Sequence, residues 1–213
     1  MAAYMMHGAE LHTVPIAEHC MGMPAERARR WSAHEVRRLI ADAPSITPRY
    51  ELVDGELLVT PSPRPAHQVA IKLLLVALDS YLHRAPVGVV LSSPSDIELE
   101  PEDVRQPDVF VIPSGEWQRV ARDGFPAHQL LLAVEVLSPS TGRADRVTKR
   151  PGYQRHVPEY WIVDLDSRLV ERWRGGDARP EIVTDVLRWH PVRAESPFEL
   201  ELDLFFAEAI GDV

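Results

Sequence analysis

The strongest constraint on the fold is an apolar run at residues 130–137, LLLAVEVL, which contains one carboxylate, Glu135. A second apolar run, QPDVFVI at residues 106–112, carries Asp108. Continuous aliphatic and β-branched runs of this length, bounded by turn residues, predict strands that are buried on both faces. An ionised carboxylate in such a strand costs several kcal/mol unless it is paired, commonly with a metal ion. Two strands that each carry one carboxylate therefore predict a functional site.

Length and composition predict one globular domain preceded by an extension. The chain has 213 residues, of which 45% are hydrophobic, and this is enough for a sizeable core. Residues 1–30 show no hydrophobic period and are predicted to form a flexible N-terminal extension, while residues 31–213 are predicted to form a single domain. No apolar run is long enough to cross a membrane, and the first residues lack the pattern of a secretory signal. The single cysteine, Cys20, excludes an intramolecular disulfide and a thiolate zinc cluster, so we predict a cytoplasmic location.

The charge pattern restricts how the protein can meet nucleic acid. A formal net charge of −9 argues against a protein that coats nucleic acid non-specifically. It still allows an enzyme that contacts DNA through a local basic patch. Basic residues cluster just after the run that contains Glu135, at Arg143, Arg146, Lys149, Arg150 and Arg155. The cluster is either a solvated helix face or a nucleic-acid contact, and the pattern leaves both interpretations open.

A hairpin is predicted over residues 50–60, YELVDGELLVT. Asp54-Gly55 supplies the two positive-φ positions of a type I′ turn. A two-residue turn pairs position 51 with position 58, so Glu51 and Glu56 lie on the same face. This face is either the solvent side of the hairpin, which is the interpretation we favour, or the border of a metal site.

The remaining pattern alternates helices with strands. Ser32 and Glu35 form the capping box of a first helix, and residues 66–82 form a second helix that is apolar enough to lie against a sheet. His67 lies in the first turn of that second helix, where a capping or core role is commoner than a catalytic one. Strands are predicted at residues 87–91, 104–112, 130–137, 160–164, 169–174, 181–189 and 198–206. This order predicts a mixed sheet with helices packed against it.

A third helix is predicted to begin at about Arg143, capped by residues 138–141. Lys149 lies four residues after Asp145 in this helix, so the two side chains share a face. Lys149 either forms a solvated ion pair with Asp145 on the protein surface or has a functional role, and the spacing does not decide between the two. Pro151-Gly152 predicts that the helix ends or kinks soon after the lysine.

Five segments, in this order and spacing, carry a resemblance to a known family: YELVDGEL, QPDVFVI, LAVEVLSPST, DRVTK and VPEYWIVD. From about residue 32 to about residue 204 the chain resembles the Uma2 family of restriction-endonuclease-like proteins, within the PD-(D/E)XK nuclease superfamily. The resemblance implies an α/β (α+β) fold with a restriction-endonuclease-like αβββαβ core. In such a fold a mixed central sheet is flanked by helices, and here an N-terminal hairpin and a C-terminal strand meander would be added.

The resemblance also implies the site residues. Asp108 matches the aspartate of the family's proline–aspartate pair, and Glu135 matches the acidic residue of (D/E)XK. Leu137 stands where that motif has its lysine, and the resemblance implies that Lys149 takes over the role from the following helix. Glu51 matches an acidic position of the hairpin. The implied cofactor is Mg²⁺ or Mn²⁺, bound by Asp108 and Glu135.

The implied activity is that of a metal-dependent DNA endonuclease that hydrolyses phosphodiester bonds. DNA would be contacted through its phosphates by Arg143, Arg146 and Arg150. Superfamily members often dimerise, so a homodimer is possible, and the sequence does not decide the oligomeric state.

Two other classes of function are compatible with the sequence. The nuclease fold can persist as a catalytically inactive binding or interaction module, which a helix broken after Lys149 and the acidic net charge would favour. A carboxylate-pair hydrolase that acts on sugars would need no metal, but it would leave the lysine and the basic helix without a role.

Overall fold

The computed structural model describes residues 29–45, 47–60, 62–138 and 142–212. Residues 1–28 of the predicted extension and residues 139–141 of the predicted helix cap lie outside these ranges. The elements, in chain order, are α1 Ala33–Asp42, β1 Arg49–Val53, β2 Glu56–Thr60, α2 Pro65–Arg84, β3 Gly88–Ser92, β4 Val109–Pro113, α3 Ser114–Asp123, β5 Leu132–Val136, a π-helical turn Ala144–Lys149, α4 Arg150–His156, β6 Glu159–Asp164, β7 Leu169–Arg174, β8 Glu181–Val183, β9 Val186–Trp189, β10 Phe198–Glu201 and α5 Leu202–Ile210. Within the described ranges, no helix is both long enough and apolar enough to cross a membrane.

The centre of the fold is a mixed sheet of six strands in the order β3-β4-β5-β6-β7-β8. Strands β5 and β6 run parallel, and all other neighbours in this sheet are antiparallel. The parallel pair is joined by the helical segment that contains the π-helical turn and α4, and α2 precedes β3. The predicted αβββαβ core is therefore confirmed.

The two faces of the sheet bury different sets of residues because side chains alternate along each strand. On one face, Val109 and Val111 pack into a core with helices α2 and α5. On the other face, Phe110 and Ile112 pack with Ala133. Period two places Asp108 and Glu135 on this second face. The core of the protein thus lies on both sides of the strands that carry the two carboxylates.

The hairpin forms as predicted. Asp54 and Gly55 have φ of 49° and 78°, as a type I′ turn requires, and Glu51 pairs with Leu58. The favoured interpretation of the Glu51 face as a solvent side is wrong for Glu51, which is fully buried. The reason is long-range, because the backbone N–H of Gln106 donates to Oε1 of Glu51 at 3.0 Å and Lys149 Nζ lies 2.7 Å from its Oε2.

The helix after β5 continues past Pro151, so the predicted end of the helix at this position is wrong, whereas a kink there stays a prediction. Residues 142–156 are helical throughout, and the π-helical turn precedes the proline. In this turn the N–H of Arg150 donates to the carbonyl of Asp145, five residues earlier. Pro151 then lies in the first turn of α4, where its missing N–H removes no hydrogen bond that the new helix needs. The wider turn thus allows the chain to pass the proline without leaving the helix.

Gly152 makes room for a buried arginine. Arg105 is fully buried, is held by two 2.7 Å contacts to Asp103, and donates to the carbonyl of Lys149 at 2.6 Å. A Cβ placed on Gly152 would lie 2.0 Å from Nη2 of Arg105. The guanidinium cannot move aside cheaply, because both of its edges are bonded. Gly152 therefore leaves the space beside the helix that the guanidinium of Arg105 occupies.

Gly152→Ala is expected to lower the free energy of unfolding by about 1–3 kcal/mol, because the added methyl overpacks against Arg105. The matched control is Gly115→Ala in α3, where a Cβ meets nothing within 4 Å. That control should gain about 0.5–1 kcal/mol from the lower entropy of the unfolded chain. Urea unfolding of both variants measures the difference, and equal midpoints would show that Arg105 yields to the methyl.

Three predicted strands differ from the structure by more than two residues at a boundary or are divided. The strand predicted at residues 104–112 begins at Val109, so Asp108 directly precedes it. The strand predicted at residues 181–189 is divided, because β8 pairs with β7 whereas β9 pairs with β10. The strand predicted at residues 198–206 ends at Glu201 and continues as α5. The buried residues of α5 follow a helical spacing, and all but the last of them lie within the predicted strand: Leu202, Phe205, Phe206 and Ala209.

Candidate active site

Asp108 and Glu135 lie opposite each other on neighbouring strands. Strands β4 and β5 pair Val109 with Val134, so the next pair of positions is 108 and 135. The backbone N–H of Val136 donates to Oδ2 of Asp108 at 2.9 Å, which joins the two strands at this end. Both carboxylates are buried, with 3% and 2% of the residue surface exposed. The two carboxylates that the sequence singled out therefore line one cavity.

Asp108 is held as an anion by its neighbours. His67 Nε2 lies 3.1 Å from Oδ2, and Arg49 Nη2 lies 2.8 Å from Oδ1. Burial alone would raise the pKa of Asp108, but the hydrogen bond with His67 and the charge of Arg49 lower it from 3.8 to about 2. At neutral pH this carboxylate is ionised and faces the cavity.

Lys149 is the centre of a buried ionic cluster. Its Nζ lies 2.7 Å from Oε2 of Glu51, 3.1 Å from Oε1 of Glu135 and 3.2 Å from Oδ1 of Asp145. Burial works against its charge, but Glu135, Glu51 and Asp145 raise the pKa of Lys149 well above its ordinary value. The interpretation of Lys149 as a solvated partner of Asp145 is wrong, because the ion pair exists but only 2% of the lysine is exposed.

The π-helical turn and Arg105 set the position of Lys149. The turn ends at the lysine, and Arg105 holds the lysine carbonyl from the opposite side. One helical turn later, the Tyr153 hydroxyl donates to the same Glu135 oxygen at 3.2 Å. Leu137, at the place where the motif has its lysine, is half-buried against the core. The ammonium group beside Glu135 thus comes from Lys149 in the following helix, and not from position 137 in the strand.

Glu135 has the opposite electrostatic character to Asp108. Burial raises the pKa of Glu135 well above its ordinary value, Asp145, Asp108 and Glu51 raise it further, and Lys149 lowers it only in part. The cavity therefore pairs a carboxylate whose pKa is lowered with one whose pKa is raised.

Two cavity residues that contact Asp108 were not assigned to the site from the sequence. Arg49 is the first residue of β1, directly before the YELVDGEL segment, and contacts Asp108. His67 is buried in the first turn of α2, and its hydrogen bond goes to the proposed metal ligand Asp108. A histidine one turn into a helix that follows a hairpin gave a weak signal, and the lone arginine gave none, because their partner lies about 40 to 60 positions away in the chain.

The basic residues of the following helix differ in their surroundings. Arg143 is exposed. Arg146 forms ion pairs with Asp164 and Glu171 at 3.0 and 2.5 Å, and Arg150 lies over the ring of Trp173 with 4.4 Å to its centroid. Arg146 and Arg150 are therefore engaged within the protein, and contact with DNA stays a prediction for all three arginines.

The donor chemistry of the cavity fits a hard divalent cation. Within the described residues, no group of three or more His, Cys, Asp or Glu side chains is arranged to hold a metal ion. However, Oδ1 of Asp108 and Oε2 of Glu51 are buried and accept no hydrogen bond, although a cationic side chain lies beside each. Carboxylate oxygens are the ligands that Mg²⁺ and Mn²⁺ prefer. The cluster also contains four carboxylates against the two cations Lys149 and Arg49, so an added positive charge would be stabilised.

Comparison with known proteins supplies independent findings. The model of the Uma2 family, described as "Putative restriction endonuclease", matches residues 36–204. A crystal structure of "a putative nuclease belonging to DUF820" from Anabaena variabilis is similar with a TM-score of 0.67 and 17% sequence identity. The similarity covers 80% of this chain and 96% of that chain, and at this identity it shows the fold. A comparison with curated proteins found no match.

Proposed function

Because the chain belongs to the Uma2 family, whose model covers most of it, we propose that it is a metal-dependent DNA endonuclease. The family and the restriction-endonuclease-like fold support a nuclease. The proposal adds a divalent cation, Mg²⁺ or Mn²⁺, and DNA as the substrate whose phosphodiester bonds are hydrolysed. It also assigns roles to Asp108, Glu135, Lys149 and Glu51.

The observation that carries the proposal is the 3.1 Å contact between Lys149 Nζ and Glu135 Oε1. An acidic pair on adjacent strands and a lysine beside one of its members form the constellation that the family resemblance implies. Asp108 and Glu135 would hold the cation, which when bound lowers the pKa of a water molecule and stabilises negative charge on the phosphate. Both residues would serve this role from the positions that they occupy in the structure.

Lys149 and Glu51 support the pair formed by Asp108 and Glu135. Lys149 would stabilise the phosphate through its positive charge, because its Nζ already contacts Glu51, Glu135 and Asp145. Glu51 holds Lys149 through Oε2 and accepts the N–H of Gln106 through Oε1 at 3.0 Å. It thereby fixes the ammonium relative to the segment that leads to Asp108. We assign Glu51 the role of positioning Lys149.

The inactive-module alternative has lost one of the two observations that favoured it. A helix broken after Lys149 would have removed the ammonium from the acidic pair, but the helix continues and the contact is made. The metal-free sugar hydrolase would give Lys149 no chemical role, whereas Lys149 lies 3.1 Å from Glu135 in the cavity. Neither alternative requires the cavity to bind a divalent metal ion.

Mn²⁺ is expected to bind the purified protein, and Asp108→Asn should weaken that binding by at least about tenfold because a charged oxygen ligand is lost. Calorimetric titration of the wild type and the variant measures the two affinities. The matched control is Asp79→Asn, an exposed carboxylate of α2 outside the cavity, which should leave the affinity unchanged. A wild type that binds no Mn²⁺ would favour the inactive module.

A further inference from the structure

The two carboxylate oxygens of Asp108 are used differently. Oδ2 accepts the N–H of Val136 at 2.9 Å and faces His67 Nε2 at 3.1 Å, so its hydrogen-bonding capacity is filled. Oδ1 is buried and accepts no hydrogen bond of good geometry. The guanidinium of Arg49 lies beside it, with Nη2 at 2.8 Å. An incoming cation would therefore meet Asp108 at Oδ1, where Arg49 already lies.

Arg49 is held less firmly than the other cation of the cluster. Lys149 has three carboxylates within 3.2 Å and is almost fully buried. Arg49 has Asp108 and one 3.2 Å hydrogen bond to the carbonyl of Gln106. Its side chain is 15% exposed, against 3% for Asp108. A guanidinium at the rim of the cavity with two contacts can leave Oδ1 at a much lower cost than the lysine can leave its carboxylates.

We propose that Arg49 is the resident counter-ion of the cation site and competes with a divalent cation for Oδ1 of Asp108. This inference rests on the proposed function, because it requires a cation at Asp108. Without metal, Arg49 neutralises a buried carboxylate that would otherwise be uncompensated. With metal, the guanidinium leaves Oδ1 and the cation takes its place.

The competition gives Arg49 a role in cation specificity. A monovalent ion carries no more charge than the guanidinium and gains nothing by displacing it from Asp108. A divalent ion carries twice that charge, and the excess of carboxylates in the cluster favours it. Arg49 therefore selects divalent over monovalent cations.

The test compares Mn²⁺ affinity in the full chain with and without the guanidinium. Arg49→Met keeps the aliphatic stem and removes the competitor, so Mn²⁺ should bind about 5- to 150-fold more tightly than to the wild type, the range of typical coupling between two sites. The metal-free variant should also melt at a lower temperature than the metal-free wild type, and saturating Mn²⁺ should remove this deficit. The matched control is Arg188→Met on β9, a surface arginine paired with Glu199, which should change neither quantity.

A second measurement needs no destabilising variant. The side-chain Nε resonance of Arg49 in the wild type, assigned by its loss in Arg49→Lys, should shift when Mg²⁺ is added, because the guanidinium changes partner. Arg49→Lys itself should bind Mn²⁺ more tightly than the wild type and more weakly than Arg49→Met.

The outcomes separate this inference from the proposed function. If the wild type binds Mn²⁺, and Arg49→Met binds it equally or more weakly, or the Arg49 resonance does not move, the inference is overturned and the proposed function stands. If the wild type binds no Mn²⁺, the metal-dependent function fails first and the inference fails with it.

Discussion

Glu135→Gln is expected to reduce phosphodiester cleavage by at least about a hundredfold and to leave the protein at least as stable as the wild type. Activity falls because the neutral amide cannot replace a charged ligand of the cation. Stability does not fall because burial and three neighbouring carboxylates already disfavour the ionised form of Glu135. A loss of function with retained or improved stability is the signature of a residue kept for chemistry.

The pH dependence of this stability difference follows from the sign of the pKa shift. The pKa of Glu135 is raised in the folded state above its ordinary value of 4.5. Below pH 4.5 the carboxyl is protonated in both folded and unfolded chains, so the wild type and the variant should differ little. As the pH rises above 4.5, the unfolded chain gains stability from ionisation first, and the advantage of the glutamine variant should grow until the raised pKa is passed. Urea unfolding without metal at acidic and at neutral pH measures this, with Glu181→Gln at the exposed strand β8 as the control. A variant that is less stable than the wild type at neutral pH would contradict the assignment.

Lys149→Met should have the largest effect on stability, lowering the free energy of unfolding by about 3–5 kcal/mol, because it leaves buried carboxylates without their cation. The contacts at risk are those with Glu51, Glu135 and Asp145, all within 3.2 Å. The same substitution at Lys72, an exposed lysine of α2, should change stability by no more than about 0.5 kcal/mol. Denaturant unfolding compares the two variants.

A double variant tests whether the loss comes from the cluster itself. Lys149→Met combined with Glu135→Gln removes one positive and one negative charge, so part of the lost stability should return. If the two substitutions were additive, or if Lys149→Met unfolded at the same denaturant concentration as the wild type, the buried cluster would not be the stabilising unit that its distances indicate.

Features of the fold that depend on local sequence could be predicted. The capping box of Ser32 and Glu35 and the Asp54-Gly55 turn form as expected, because the residues that make these contacts lie within a few positions of one another. The two buried strands and their carboxylates could be predicted for a related reason. A carboxylate within an apolar run is costly to bury, so the run itself indicates that a partner from outside the strand compensates its charge.

Features that depend on distant parts of the chain could not be predicted. Glu51 is buried against groups more than 50 positions away, the backbone of Gln106 and the ammonium of Lys149, and no local pattern marks them. The position of Lys149 depends on a π-helical turn and on Arg105, which is 44 positions upstream. Pro151 signals a helix end in local terms, and the sequence alone did not show that a wider turn would carry the helix past it. Residues near the cavity were thus predicted by type, but the geometry that unites them arises from tertiary contacts.

The measurement that tests the central claim most directly is nicking of supercoiled plasmid by purified protein in Mg²⁺ or Mn²⁺. The wild type should convert the plasmid to the nicked form, EDTA should stop the reaction, and Asp108→Ala and Glu135→Ala should each lack activity. Nicking that survives in both variants would contradict the assignment of Asp108 and Glu135 as the residues that hold the metal.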